Sequence, residues 1–239
     1  RLYIEKLQLE ATAIHLSSTK IEADLEQQDI DGLIQINTIQ LASFTAPEDI
    51  PLEGQLAGWL QLSGHLKAPD ARAGLLFSNL NYDARSLGDG KFRVDATSTK
   101  PGETNYEIAV SGLITSPMGT FGIQNYFHTE TEEIVAKVRL TDVDLQHYGH
   151  GWSDSIPPLD GILEGQIDIA GHLSAPHVDA HLKVPQLGLL LEEEPLTHDA
   201  DEEEKVRNTL SPYKYLGPVL LHGSFEKGII DAQLCAFPN

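Results

Sequence analysis

Residues 163–173 read Leu-Glu-Gly-Gln-Ile-Asp-Ile-Ala-Gly-His-Leu, and this alternating pattern decides the fold class. The odd positions hold leucine, isoleucine or glycine, whereas the even positions hold mainly polar residues. Successive side chains of a β-strand point to opposite faces of a sheet. The spacing therefore predicts a strand with one apolar and one polar face.

The same alternation recurs elsewhere in the chain. Two further runs contain Leu56, Leu60, Leu62 and Leu66 in the first and Val178, Ala180, Leu182 and Val184 in the second. Additional candidate strands lie at 2–16, 33–41, 92–97, 106–114, 134–145 and 219–234. The 20 glycines and 13 prolines fall mostly between these runs, as turns require, and no stretch holds a helical period. We therefore predict an all-β fold.

An internal repeat links two distant parts of the chain. Residues 51–69 read PLEGQLAGWLQLSGHLKAP, and residues 158–176 read PLDGILEGQIDIAGHLSAP. The segments align without gaps at an offset of 107 residues, and ten of the nineteen positions are identical. Because about one identity is expected by chance, the protein is predicted to consist of repeats. We expect a partial repeat at 1–50, a full repeat at 51–157 and a partial repeat at 158–239.

Each copy has glycines at three matching strand positions. They are Gly54, Gly58 and Gly64 in the first copy and Gly161, Gly165 and Gly171 in the second. Glycine weakens a strand interior, so it marks a bend, a bulge or a place where another surface approaches closely. A sheet that bends at regular glycines curls. We expect an elongated, curled β-sheet groove, built from repeats, with an apolar interior.

The charge of the chain excludes several classes of partner. The 239 residues include 36 acidic and 16 basic side chains, which give a net charge of -20. This charge argues against nucleic acid and against electrostatic adhesion to an anionic lipid surface. Cys235 is the single cysteine, so an internal disulfide and a paired-cysteine metal site are excluded. No apolar run is long enough for a membrane span, and because the pattern is already under way at Leu2 we expect a segment of a longer protein.

Sequence motifs of enzymes do not occur in the chain. There is no phosphate-binding loop, nucleophile elbow or dinucleotide fingerprint, so we predict neither an enzyme nor a cofactor. The stretch 192–204 contains eight acidic residues but lacks the glycine and ligand spacing of a calcium loop. We predict a solvated acidic loop at 192–205.

Ten histidines raise the question of a metal site. His147 and His150 lie close to Asp154, but no third and fourth ligand is clearly supplied, and we predict no metal site. His177 and His181 share a strand face at a separation of about 13 Å, which is too far to hold one ion. The equivalent histidines of the two repeat copies, at positions 65 and 172, are expected to have a structural role.

The repeat motif resembles a known family. The phrase L-(D/E)-G-x-L-x-G-x-(L/I)-x-(L/I)-x-G-H-L-x-A-P, followed by a strand and later by a similar block, is similar to the repeats of the TamB family, which is related to AsmA-like proteins. The likeness is detailed at 51–72 and 158–181, and in its general pattern of alternating strands it extends to most of the chain.

The resemblance implies a fold, a location and a function. Members of that family are anchored in the inner membrane of bacteria and span the periplasm as a long, U-shaped β-groove with an apolar lining. They are implicated in phospholipid movement to the outer membrane and in outer-membrane biogenesis with a β-barrel partner. For this chain the resemblance implies a periplasmic segment of an inner-membrane-anchored protein that binds phospholipid acyl chains.

The apolar stripe is the predicted binding surface. We expect the groove to be lined by Leu56, Leu60, Leu62, Leu66, Leu163, Ile167, Ile169, Leu173, Val178, Leu182 and Val184. Leaving these side chains in water would cost several kcal/mol at about 25 cal/mol per Å² of apolar surface. Acyl chains or unfolded barrel strands would cover them in a groove, and a second sheet would cover them in a β-sandwich. Three functions stay open: lipid transport, chaperone-like templating of outer-membrane strands, and a closed sandwich that acts as an adhesin-like module.

Overall fold

A computed structural model describes residues 1–4, 7–11, 14–44, 52–82, 85–146, 159–190, 213–215, 217–226 and 229–236. The first nine strands are β1 (Leu2–Ile4), β2 (Leu7–Ala11), β3 (Ile14–Asp24), β4 (Asp29–Gln40), β5 (Leu52–His65), β6 (Asp70–Tyr82), β7 (Arg85–Ser98), β8 (Tyr106–Ser116) and β9 (Gly119–His128). The others are β10 (Glu133–Asp144), β11 (Leu159–Asp160), β12 (Ile162–His172), β13 (Ala175–Val184), β14 (Gly188–Leu190), β15 (Tyr213–Tyr215), β16 (Val219–Glu226) and β17 (Ile229–Ala236). A short 3-10 helix, Leu41–Phe44, follows β4. The all-β prediction is confirmed.

One antiparallel sheet of 14 strands dominates the structure. Its order is β1-β3-β4-β5-β6-β7-β8-β9-β10-β12-β13-β16-β17, and β2 pairs with β3 next to β1. Most strands therefore pair with the strand that follows them in the chain. The only other sheet in the described ranges has three short strands in the order β11-β14-β15.

The two ends of the large sheet differ in their connections. At one end, which we call the turn end, tight turns follow β3, β5, β9 and β12, and the last of these contains only Leu173 and Ser174. At the opposite end, the loop end, short connections follow β6 and β8, whereas longer connections follow β4, β10 and β13. The strands β11, β14 and β15 belong to the second and third of these connections.

The predicted strand boundaries needed correction in four places, and one of them is the run 219–234, which is divided between β16 and β17. The run 2–16 is divided between β1, β2 and the start of β3. The strand β9 was not predicted, because its sequence Phe121-Gly-Ile-Gln-Asn-Tyr-Phe127 places large residues on both faces. Leu66 and Leu173 lie in turns beyond the ends of β5 and β12.

The two copies of the sequence repeat have matching backbone geometry. They lie mainly in β5 and β12, and all six of their glycines have positive φ. Gly58 and Gly165 share a φ of 153°, and Gly54 and Gly161 have φ values of 130° and 140°. A Cβ atom at position 58 or 165 would overlap a carbonyl oxygen of the next strand, that of Gly74 or that of His181. Only glycine accepts this combination of φ and close approach.

Buried apolar side chains are few and lie near strand ends or, for Ala68, in the turn after β5. Among the described residues, the buried apolar side chains are Ala23, Ala68, Leu80, Val143, Val184 and Val219. The last four lie toward the loop end of β6, β10, β13 and β16. The middle of the sheet contributes none of these six residues, so the described structure has no closed core like that of a globular domain.

We expect Gly58→Ala and Gly165→Ala each to lower the free energy of unfolding by about 3 kcal/mol, since the methyl group meets backbone and the φ value is unfavourable for alanine. Urea unfolding monitored by circular dichroism measures the change. Gly122→Ala is the matched control, because a Cβ there would lie 3.7 Å from its nearest neighbour. Equal destabilisation by all three substitutions would contradict the explanation.

Candidate functional site: an apolar face across the sheet

The register of the strands aligns apolar residues in four rows on one face of the large sheet. The first row is Ile34, Leu60, Ala73, Val94, Val110, Asn125, Ala136, Ile169, Val178 and Phe225. The second is Ile36, Gly58, Leu75, Phe92, Gly112, Ile123, Val138, Ile167, Ala180 and Gly223. The third is Ile39, Leu56, Phe77, Gly90, Ile114, Phe121, Leu140, Gly165, Leu182 and Leu221. The fourth is Gly32, Leu62, Ala71, Ala96, Ile108, Phe127, Ile134, Gly171 and Pro176.

We call these four rows the apolar face. Asn125 is their only polar residue, and its Oδ1 atom is shielded from solvent without a hydrogen-bond partner. On β3 the first row continues to Ser18, whose buried hydroxyl donates a hydrogen bond of 2.7 Å to the carbonyl oxygen of Leu33. No charged side chain lies in the four rows, so the face is apolar across ten strands.

Every side chain of the apolar face is half-buried. Of the residues that alternate with them, Gln61, Arg93, Gln124 and Lys137 are exposed on the opposite face. A side chain in the middle of a packed sandwich would be fully buried between two sheets. The half-burial therefore fits a face whose side chains contact their neighbours in the sheet but have no closely packed second layer above them.

Most of the predicted lining residues lie on this face. Leu56, Leu60, Leu62, Ile167, Ile169, Val178 and Leu182 belong to the four rows. Leu163 and Val184 are on the same face, one step closer to the loop end, where they pair with Val143 and Val219.

Leu66 and Leu173 do not belong to the rows, because each lies in a turn after its strand. The strands end at the preceding histidines. The Nδ1 atom of His65 accepts a hydrogen bond of 3.3 Å from the backbone N–H of Lys67, and that of His172 accepts one of 3.3 Å from Ser174. These equal contacts agree with the structural role predicted for the two histidines, and they leave Leu173 54% exposed.

Sequence reasoning missed the part of the apolar face on β6, β7 and β9. Phenyl rings are prominent there: Phe77 and Phe92 meet edge to face, with ring centroids 5.5 Å apart. The ring of Phe92 also covers Gly112 on the next strand, where a Cβ atom would overlap it. The alternation of Phe121, Ile123 and Phe127 was the available signal, and Asn125 within the same run obscured it.

The comparisons with known proteins give no family. No family model matches the sequence, and neither a curated protein nor a solved structure matches it. In the described part of the chain, no helix has the length and apolar character needed to cross a membrane.

The opposite face of the sheet holds exposed ion pairs. Asp95 lies between Arg93, at 2.8 Å, and Arg72, at 3.6 Å, and Lys137 lies 3.4 Å from Asp168. Exposed pairs of this kind each contribute at most about 1 kcal/mol. These ion pairs place charged groups on the opposite face, whereas the apolar face carries none.

Two carboxylates on the polar face have perturbed titration. The hydrogen bond from Arg93 lowers the pKa of Asp95. The largest single cause that lowers the pKa of Asp168 is the hydrogen bond of 2.6 Å that Gln166 Nε2 donates to it, and the charge and hydrogen bond of Lys137 lower it further. Both carboxylates are therefore charged at neutral pH.

The histidines considered as metal ligands lie partly outside and partly inside the described residues. His147, His150 and Asp154 lie outside the described residues, as does the acidic stretch 192–204. Within the described ranges, no group of three or more histidine, cysteine, aspartate or glutamate side chains could hold a metal ion. His177 is instead paired with Asp179 at 2.9 Å.

We expect Gln166→Ala to raise the pKa of Asp168 more than Lys137→Met does, since the hydrogen bond that it removes is the largest single cause of the lowering. The lowered pKa stabilises the fold above the ordinary pKa of an aspartate, and this contribution is lost as the pH falls through the folded value. Carbon-detected NMR titration of the carboxyl group measures both variants. A larger rise in Lys137→Met would show that the ion pair dominates.

Proposed function

We propose that this chain is a segment of a bacterial envelope bridge protein similar to the TamB family, and that it transports phospholipid. Its apolar face lines a groove that shields acyl chains from water between the inner and outer membranes. The observation that supports the proposal is the uncharged, half-buried face that ten strands share. The protein is then periplasmic, belongs to an inner-membrane-anchored parent chain and acts without catalysis or a cofactor.

The dimensions of the apolar face suit this role. Ten strands at the spacing of a sheet extend about 43 Å, and four rows extend roughly 20 Å along the strands. Each methylene group of an acyl chain that leaves water on such a surface gains about 0.8 kcal/mol. A lipid tail can therefore move from row to row without a charged side chain in its path.

Charge supports a division between lipid tails and headgroups. The chain carries a net charge of -20, and the charged side chains of the described strands lie off the apolar rows. An anionic headgroup gains nothing by lying on this acidic protein. In the proposed conduit, headgroups stay in water at the open side of the groove while the tails contact leucine, isoleucine, valine and phenylalanine.

A second function, strand templating, is favoured by the open edge of the sheet. In the described structure β17 pairs with β16 and with no other strand, so one row of its backbone groups is available. Its sequence, IIDAQLCA, has Asp231 as the only charge and lacks the lysine or proline that protects many edges. Such an edge could add a nascent strand of an outer-membrane barrel protein by β-augmentation.

The sandwich alternative has less support. The second sheet of a sandwich should cover the central rows, but the other described sheet has three strands of two or three residues each. The half-burial of the central rows also differs from the burial expected inside a sandwich.

We expect Ile167→Asp and Leu182→Asp to reduce phospholipid that co-purifies with the protein by about tenfold, because a carboxylate on the acyl path is poorly solvated. Native mass spectrometry and lipid extraction measure the bound lipid, and circular dichroism checks the fold. Lys183→Asp is the matched control, since Lys183 is next to Leu182 in β13 but points to the polar face. If the amount of bound lipid is unchanged in both apolar-face variants, the transport proposal is wrong.

Site-specific photo-crosslinking separates transport from templating. We expect a photoreactive residue at Ile123, on the apolar face, to capture lipid, and one at Gln233, on β17, to capture little. If the β17 position instead captures unfolded barrel protein and the Ile123 position captures no lipid, strand templating is the better account.

A further inference from the structure

Two histidines face each other on the polar side of β13 and β16. His181 and His222 are directly opposite in the register of the two strands, and both are exposed. Their Nδ1 atoms are 3.0 Å apart, and their ring centroids are 4.4 Å apart. The two histidines are 41 positions apart in the sequence, so the sequence alone does not bring them together.

The spacing of the two nitrogens suits one metal ion. If an ion lay about 2.0–2.1 Å from each nitrogen, the angle Nδ1–metal–Nδ1 would be about 95°. This angle is close to the right angle between neighbouring ligands in square-planar and octahedral coordination. Cu²⁺ and Ni²⁺ favour such geometry with imidazole ligands, whereas Zn²⁺ favours tetrahedral sites.

The surroundings favour a cation. Asp168, on β12, is close enough to His181 for the two to interact electrostatically. Gln166 lies opposite His181 on the other side, and its amide is held by Asp168. The charge of -20 on the whole chain adds a long-range attraction for cations.

We propose that His181 and His222 form a two-histidine binding site for Cu²⁺ or Ni²⁺, with water completing the coordination shell. In the free protein the Nδ1–H of one ring donates to the Nδ1 atom of the other, which explains their 3.0 Å contact. When the metal ion binds, that proton moves to Nε2 of the same ring, so that both Nδ1 atoms are free to bind the ion. The site joins β13 to β16, the strands on either side of the connection that contains residues 192–204. It is independent of the lipid-transport proposal.

Calorimetric titration of the chain with NiCl₂ and CuCl₂ tests the site. We expect His181→Ala and His222→Ala each to weaken binding at least about tenfold, because one imidazole holds these ions far less well than two. His177→Ala is the control within the same strand and should bind as the parent does. A His147→Ala/His150→Ala variant should also keep the site, since the proposed ligands are elsewhere.

Electron paramagnetic resonance of the Cu²⁺ form gives a second, structural readout. The parent should show coupling to two imidazole nitrogens, and each single variant should show one. His181→Gln and His222→Gln, which keep a polar side chain on the sheet, replace the alanine variants if those fail to fold. The proposal is overturned if neither histidine changes the affinity or the spectrum, or if Zn²⁺ binds more tightly than Ni²⁺ does.

Discussion

The structure depends on the backbone hydrogen bonds between antiparallel strands. Among the described residues, six apolar side chains are buried, and the middle of the sheet contributes none of them. The ladder of paired strands therefore has to hold 14 strands together with help mainly from side chains that touch across neighbouring strands. Among the described residues this arrangement leaves one face apolar without a closely packed second layer, and the proposed function rests on that surface rather than on any single catalytic or binding group.

Glycine geometry fixes how consecutive strands meet. Gly58 and Gly165 bring their strands so close to the next strand that a methyl group would overlap its carbonyl oxygen. Aromatic rings cover glycines elsewhere, as Phe92 covers Gly112 and Trp59 covers Gly74. The two repeat copies share the positive φ values and the histidine contact that closes each strand. The sequence identity between the copies is thus matched by equivalent local structure.

Much of the fold was predictable because alternation acts locally. The period of two in 163–173 was sufficient to predict β12 and to place Ile167 on the apolar face, and the repeat transferred the same prediction to β5. The residues at which strands end were harder to predict, since they depend on turn contacts such as that of His172 with Ser174. The pair of His181 and His222 could not be predicted at all, because it needs the register of two strands separated by a long connection.

The order of the strands also bears on how such a chain is made and how it changes. Most strands pair with the strand before them in the chain, so assembly can proceed largely hairpin by hairpin, although β13 has to wait for β16 at the far end of a long connection. Whole hairpins can likewise be gained or lost without disturbing the pairing of the others. In the proposed conduit, the number of strands would set the length of the apolar face, and each added hairpin would extend it.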